Sequence, residues 1–380
     1  MPNDAESSVD ERARWDYSKR KKIVRFPAER QSGGIPMTDQ TPAQRLVSSI
    51  HAGWNLGNSL DAMKRGVAPG EIVAPREAET AWHNPPVSRG LIRAVRDAGF
   101  DAVRLPVTWA QHLDRNGKAD PAWMDRVAEV AGWILDEGMA CFVNVHHDAG
   151  AHGWLQAGER WHEIYGGRFD GLWLQIAERF ANTGERLVFE AFNEMLDGRE
   201  NWSQTPYDGA YEAHNRWIRR FAETVRSAGG ENRKRILSVQ TYSAGHTART
   251  LDAFRLPEDP SPERIILQVH NYDPQSFCWL KTVVGRDNWG GEADEKQIEN
   301  LTDSLAVFSK KHDAPLVIGE FGSEDKGNEE ARERHAAFFT ASARHRGIPC
   351  LWWDCGRFAL FDRHSARVIH PGIVRTLTGR

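Results

Sequence analysis

The chain has 380 residues, 40% of them hydrophobic, and its 49 basic and 53 acidic side chains leave a formal net charge of −4. That is enough apolar material for one large domain, and too little positive charge for the broad field that nucleic-acid binding needs. No apolar stretch approaches the ~18 residues of a membrane span, so the expected chain is a soluble monomer whose partner is a neutral molecule or polymer, with no nucleic acid and no membrane.

Residues 1–40 read as a polar, highly charged N-terminal extension. The basic run Lys19 to Lys22 is not followed by the apolar stretch of about 7 to 15 residues of a secretion signal, so the expectation is either a cytoplasmic protein or the mature form of a secreted one. Order is expected from about residue 41, where Thr41-Pro42 has the form of a helix N-cap followed by proline in the first turn. Residues 41–380 are then expected to form a single domain.

Eight short apolar runs follow that read as buried strands: 52–60, 102–109, 140–147, 187–195, 235–243, 264–272, 314–322 and 348–356. Between them lie amphipathic stretches at helical spacing, at 89–98, 121–138, 168–183, 208–228, 292–312 and 328–346. Eight βα units with nearly continuous apolar strands predict a parallel (β/α)8 TIM barrel. An open doubly wound sheet would carry a glycine-rich phosphate turn after its first strand, and GWNLGNSL lacks that spacing. Of the four cysteines, Cys141 and Cys350 fall in strand runs and read as core residues, while Cys278 and Cys355 stay undecided between free and paired.

A barrel of this kind builds its active site at the C-terminal ends of its strands. Here those ends carry Asn58 and Asp61, Arg104, His146 and His147, Asn193 and Glu194, His270 and Tyr272, Glu320, and Trp353. A lone His or Trp at a strand end is more often packed core than catalyst, and the convergence of many such ends in one mouth changes that balance. Glu194 and Glu320 project from opposite sides of the mouth and can flank one bond of a substrate, the arrangement of a glycosidase. Such chemistry needs one carboxyl protonated and the other charged, and raising the acid into the range of about 6 to 7 requires about 2 to 4 kcal/mol. Glu190, deeper in the barrel on the same face, reads as a buried partner of a base such as Arg104.

Taken in order, GWNLGNSLDA, VRLPVTW, VNVHHD, FEAFNEM, VHNYDP, IGEFG and LWWDCG resemble glycoside hydrolase family 5, the cellulase family. The resemblance implies a (β/α)8 barrel cleaving β-linked glucan with retention, without cofactor or metal. It implies that Glu194 is the general acid/base, Glu320 the nucleophile and Asn193 the amide on the sugar 2-hydroxyl. Arg104 and Tyr272 would hold the nucleophile, His146, His147 and His270 would line the site, and Trp353 would be a platform under the sugar. Asn58 and Asp61 would be more distant sugar contacts.

Fifteen tryptophans against six tyrosines suit a cleft for a sugar chain, with Trp82, Trp109, Trp154, Trp202, Trp279 and Trp289 falling in apparent loops. The backbone remains open among glucan, mannan and xyloglucan. The main expectation is an endo-β-1,4-glucanase; exo action or short oligosaccharides would be favoured if the long insertions at 149–168 and 273–291 close one end of the cleft. Two other classes stand as alternatives: a sugar-binding barrel without catalysis, and a metal hydrolase using His146, His147, Asp148, Glu194 and His270. Against the metal reading, the adjacent His146, His147 and Asp148 are expected to alternate between opposite strand faces.

Overall fold

The computed structural model describes residues 39–150, 153–199, 206–207, 209–279 and 285–380. All but the last two residues of the expected 1–40 extension, with its basic run, therefore lie outside the described residues, as does Trp202. Eight strands form a closed parallel barrel in chain order. They are β1 (Gly53–Leu56), β2 (Ala102–Leu105), β3 (Ala140–Asn144), β4 (Leu187–Glu190), β5 (Ile236–Gln240), β6 (Ile265–His270), β7 (Leu316–Phe321) and β8 (Cys350–Asp354). β1 closes the ring against β8, pairing Trp54 with Trp352. Every residue of these strands is buried, because helices cover the outside and side chains fill the interior.

The eleven α-helices among the described residues are α1 (Pro42–Ser48), α2 (Pro75–Glu79), α3 (Arg89–Asp97), α4 (Pro121–Asp136), α5 (Glu159–Arg179), α6 (Ala210–Ser227), α7 (Ala248–Ala253), α8 (Gln275–Cys278), α9 (Glu292–His312), α10 (Glu329–His345) and α11 (Pro371–Thr378). α1 begins with a reciprocal capping box, Thr41 Oγ1 accepting from the Gln44 amide while Gln44 Oε1 accepts from that of Thr41. Its apolar face, Ala43, Leu46 and Val47, joins Ala102, Ala140, Val188, Ile236 and Val317 in one core cluster. α1 thus packs on the starts of the strands, which leaves their C-terminal ends as the open mouth.

Two differences from the sequence reading bear on the site. α5 starts at Glu159, nine residues before the expected 168, so the stretch 149–168 is half helix rather than a long loop. Its internal Gly166 is where α6 crosses: a Cβ there would meet the Arg220 guanidinium, which is bonded to Asp170 of α5. The strands are also shorter than the apolar runs, four to six residues each. The remainder of each run forms the rim of the mouth. All four cysteines are free, three of them buried and Cys355 half-buried, with its Sγ facing Trp353 Nε1 at 2.9 Å.

Candidate active site

The floor of the mouth is built on Arg104, which has no exposed surface. Its Nε and Nη2 donate to the two oxygens of Glu190 at 2.8 and 2.7 Å, and Nη2 also reaches Asn193 Oδ1 at 2.8 Å. Nη1 donates to Asn55 Oδ1 at 3.0 Å and to Glu320 Oε1 at 2.5 Å. A buried guanidinium of this kind is retained only with its charge matched and its donors satisfied. Burial alone would raise the Glu190 carboxyl and lower Arg104. Their mutual attraction outweighs it, holding Glu190 below the usual carboxylate range and Arg104 above its ordinary value. Asn144 adds a hydrogen bond to Glu190 at 2.8 Å.

Glu320 sits above this floor. A bulge at the β6–β7 pairing shifts the register from Val269↔Ile318 to His270↔Glu320, leaving Gly319 as the extra residue. Gly319 lies so close to Gln268 that a Cβ would fall 2.6 Å from its side chain, while its carbonyl accepts from Asn55 Nδ2 at 2.9 Å. The bulge aims Glu320 at the mouth, where Tyr272 Oη donates to Oε2 at 2.8 Å opposite the Arg104 contact. Both carboxylate oxygens are thereby held by donors.

Glu194 lies beyond the end of β4, on the rim. Burial pushes its carboxyl up to about 7, with Arg104 and His147 opposing the shift. Its short polar contact is His270 Nδ1 at 2.6 Å. A chain of donors orders that ring: Ser238 Oγ donates to Gln268 Oε1 at 3.0 Å, which turns the Gln268 amide group to His270 Nε2 at 3.4 Å. Nε2 is then the acceptor, Nδ1 carries the hydrogen, and burial keeps the imidazole neutral by lowering its pKa to about 4. Oxygens of Glu194 and Glu320 lie within 4.8 Å of each other. One carboxyl inclined to hold a proton and one paired with a cation at this spacing can protonate a leaving oxygen and attack the same centre.

A cavity of about 660 Å³ opens above them, lined among others by His146, His147, Asn193, Glu194, His270, Tyr272, Glu320 and Trp353. Nine of the eleven site residues read from the sequence thus meet here, eight on the wall and Arg104 beneath. Trp353 lies parallel to His146, ring centroids 5.9 Å apart and planes 5° from parallel. With its Oδ1 engaged by Arg104, Asn193 has its NH2 group available to a ligand. One expectation holds and two change. Arg104 donates to Glu320 as expected, but being wholly buried it lies beneath the cavity and not among the groups that line it. Asp61 is also fully buried, its two oxygens accepting the backbone amides of Asn58 and Ser59; it holds the turn after β1, where Asn58 adopts a left-handed backbone (φ 56°). Neither Asn58 nor Asp61 lines the cavity. Third, His146 and His147 both face the cavity, because β3 ends at Asn144 and strand alternation stops there.

Asn144, Gln268 and Gly319 are site residues that the sequence does not point to, while Asn55 is a polar strand-end residue whose bonds to Arg104 and Gly319 only the structure shows. Their signal, polar side chains and a glycine inside apolar strands, was present but is shared by any satisfied core. Of the loop tryptophans, Trp279 lines the cavity and Trp82 packs on His147 at 5.3 Å. Trp154 donates to the buried Asp148 at 2.6 Å, and Trp109 and Trp289 are core. Among the described residues, two groups could offer an ion three ligand atoms, Glu194/His270/Glu320 and Asp61/His146/His147. In each, one carboxylate already holds donors from outside the group: Arg104 and Tyr272 on Glu320, backbone amides on Asp61. No described helix is long and apolar enough to cross a membrane.

A family profile described as Cellulase (glycosyl hydrolase family 5) matches residues 67–359. Among curated relatives, Endoglucanase B of Ruminococcus albus is 35% identical over 339 residues, covering 87% of this chain and 76% of the relative. Endoglucanase A of Clostridium longisporum is 32% identical over 339 residues and 87% of this chain, which spans 62% of that relative's length. Among solved structures, a broad-specificity endoglucanase from Ruminococcus champanellensis with bound cellotriose superposes with a TM-score of 0.83 at 32% identity, covering 90% of this chain and 99% of the other. A family 5 enzyme from Prevotella bryantii in complex with a xyloglucan tetradecasaccharide gives 0.80 at 30% identity, covering 89% and 97%.

Proposed function

Since the chain belongs to the cellulase family, glycosyl hydrolase family 5, we propose that it is a retaining endo-β-1,4-glucanase working by double displacement between Glu320 and Glu194. The observation that carries this reading is the spacing of the two carboxylates, within 4.8 Å oxygen to oxygen. Retaining glycosidases hold theirs at about 5 to 5.5 Å, whereas inverting ones need about 6.5 to 9.5 Å to admit a water.

In the first step Glu320 attacks the anomeric carbon while Glu194 gives its proton to the departing oxygen. In the second, Glu194 takes a proton from water as the water displaces Glu320. Arg104 and Tyr272 orient the attacking carboxylate and compensate its charge, so little reorganisation is needed as that charge is redistributed. Asn193 donates to the 2-hydroxyl, Trp353 carries the flat face of the sugar, and His146 and His147 form the wall beside it. The endoglucanase names of the relatives support mid-chain cleavage, and with half of the 149–168 insertion in helix one of the two loop-length arguments for exo action is weakened. The bound cellotriose and xyloglucan of the structural neighbours support a β-glucan backbone.

The test is reducing-sugar release by wild type and Glu320→Ala on carboxymethylcellulose, mixed-linkage β-glucan, xyloglucan and galactomannan. Release from a glucan is expected, with a loss on the order of 10⁴-fold or more in the variant. Comparable activity of the two proteins would remove Glu320 from the chemistry, and release from galactomannan alone would change the backbone.

A further inference from the structure

The part of the cavity wall formed by the loops after β5 and β6 carries polar groups that the two-step mechanism does not use. Around the mouth, β8 and the elements after β1 and β3 supply Trp353, Trp82, His146 and His147, which occupy one half of the ring. The loops after β5 and β6 supply Ser243, Ala244, Gly245, His246, Asp273 and Gln275 on the other. The turn after β5 is tied to the rim beside Glu194, since the Ser243 amide donates to the Met195 carbonyl at 3.1 Å.

Ser243 and Ala244 both have left-handed backbones, φ 52° and 50°. Two consecutive residues with a Cβ in that region are unfavourable and persist only where the surroundings impose them. The effect of the turn is to bring His246 to the cavity, where it meets Asp273. Asn271 keys the two together: its Oδ1 accepts the Asp273 amide at 2.9 Å, which fixes the side-chain orientation, and its Nδ2 donates to Asp273 Oδ2 at 3.0 Å and His246 Nε2 at 2.9 Å. Asn271 is itself buried and anchored to the nucleophile's strand, its amide donating to the Glu320 carbonyl at 2.9 Å. His246 and Asp273 each keep 22% of the side chain exposed.

A general acid delivers its proton to the leaving oxygen, so the departing sugar lies on the Glu194 side of the cavity, away from the Trp353 platform. We infer that His246 and Asp273, set by Asn271, form the subsite that binds hydroxyls of the departing β-linked sugar. This rests on the glycosidase reading above and adds to it the residues that read the leaving group. A carboxylate with a free oxygen and an ordered imidazole suit the vicinal hydroxyl edge of a pyranose, and binding energy gained there is available to the transition state.

The experiment compares kcat/KM on cellotetraose, whose leaving group is a sugar, with that on β-cellobiosyl fluoride, whose leaving group reaches neither residue. Asp273→Ala is expected to lower the cellotetraose-to-fluoride ratio by about tenfold or more, as loss of a hydrogen bond to a charged group implies, and His246→Ala by about three- to tenfold, as loss of one to a neutral ring implies. Asp273→Asn, which keeps an acceptor, should recover part of it. An unchanged ratio, whether both substrates fall together or neither does, overturns the assignment. A wild type that turns over neither substrate would instead overturn the glycosidase reading, and this subsite with it.

Discussion

Glu190 and Glu194 lie four residues apart, one on the floor of the barrel and one on its rim, and their environments drive them in opposite directions. Glu190 is bonded to Arg104 through both oxygens and to Asn144, and its carboxyl is held low despite complete burial. Glu194 meets a neutral imidazole at 2.6 Å with Arg104 farther off, and burial lifts it to about 7. Burial is therefore not what decides the charge of a carboxyl in this mouth. The partner decides it: a guanidinium in contact makes a structural anion, and a desolvated site without one makes an acid.

The contrast breaks most severely if the floor loses its cation. Arg104→Met leaves Glu190 and Glu320 without their counter-charge, with an expected cost of about 3 to 5 kcal/mol in stability and loss of catalysis. Denaturant melts with the midpoint unmoved would mean that Glu190 is not held by this pair. The rim is tested by Glu194→Gln, expected to lower kcat on a glucan by about 10²- to 10⁴-fold. Formation of the glycosyl-enzyme from β-cellobiosyl fluoride, which needs little acid assistance, should fall far less; equal losses would assign Glu194 a different task.

The same raised pKa has a stability consequence with a definite sign. The unfolded carboxyl ionises near 4.5 and the folded one near 7, so between these values the folded state binds more protons and stability falls as pH rises. The cost is absent below about pH 4.5 and complete above about 7, at most about 3 kcal/mol. Glu194→Gln removes it, so the variant should melt above wild type at pH 8 and the difference should vanish at pH 4. In wild type the activity should decline on the alkaline side of about 7 as the acid loses its proton. The smallest effect expected is none: exhaustive chelation should leave kcat/KM unchanged, because one carboxylate in each candidate ion-binding group, Glu320 and Asp61, is already held by donors from outside it.

Much of this could be read from residue order. The eight apolar runs, the helical spacing between them and the acidic and aromatic residues at their ends define a barrel with its site at one mouth, since period and run length are local properties of a chain. Glu194 and Glu320 were legible for the same reason, each following a buried strand. What residue order could not supply was which polar groups meet. Depth along the run separates Glu190 from Glu194, but Asp61 and Asp148 look like any of the site acids. Only closure of the ring brings Arg104 from β2 under Glu320 of β7, turns Asp61 into the brace of a turn, and ends β3 early enough for His146 and His147 to face the same way. The bulge at Gly319 and the left-handed turn at Ser243 and Ala244 belong to the same class. Hydrophobic pattern is written residue by residue, whereas charge state and orientation depend on neighbours supplied by distant segments, and those are decided by the tertiary fold.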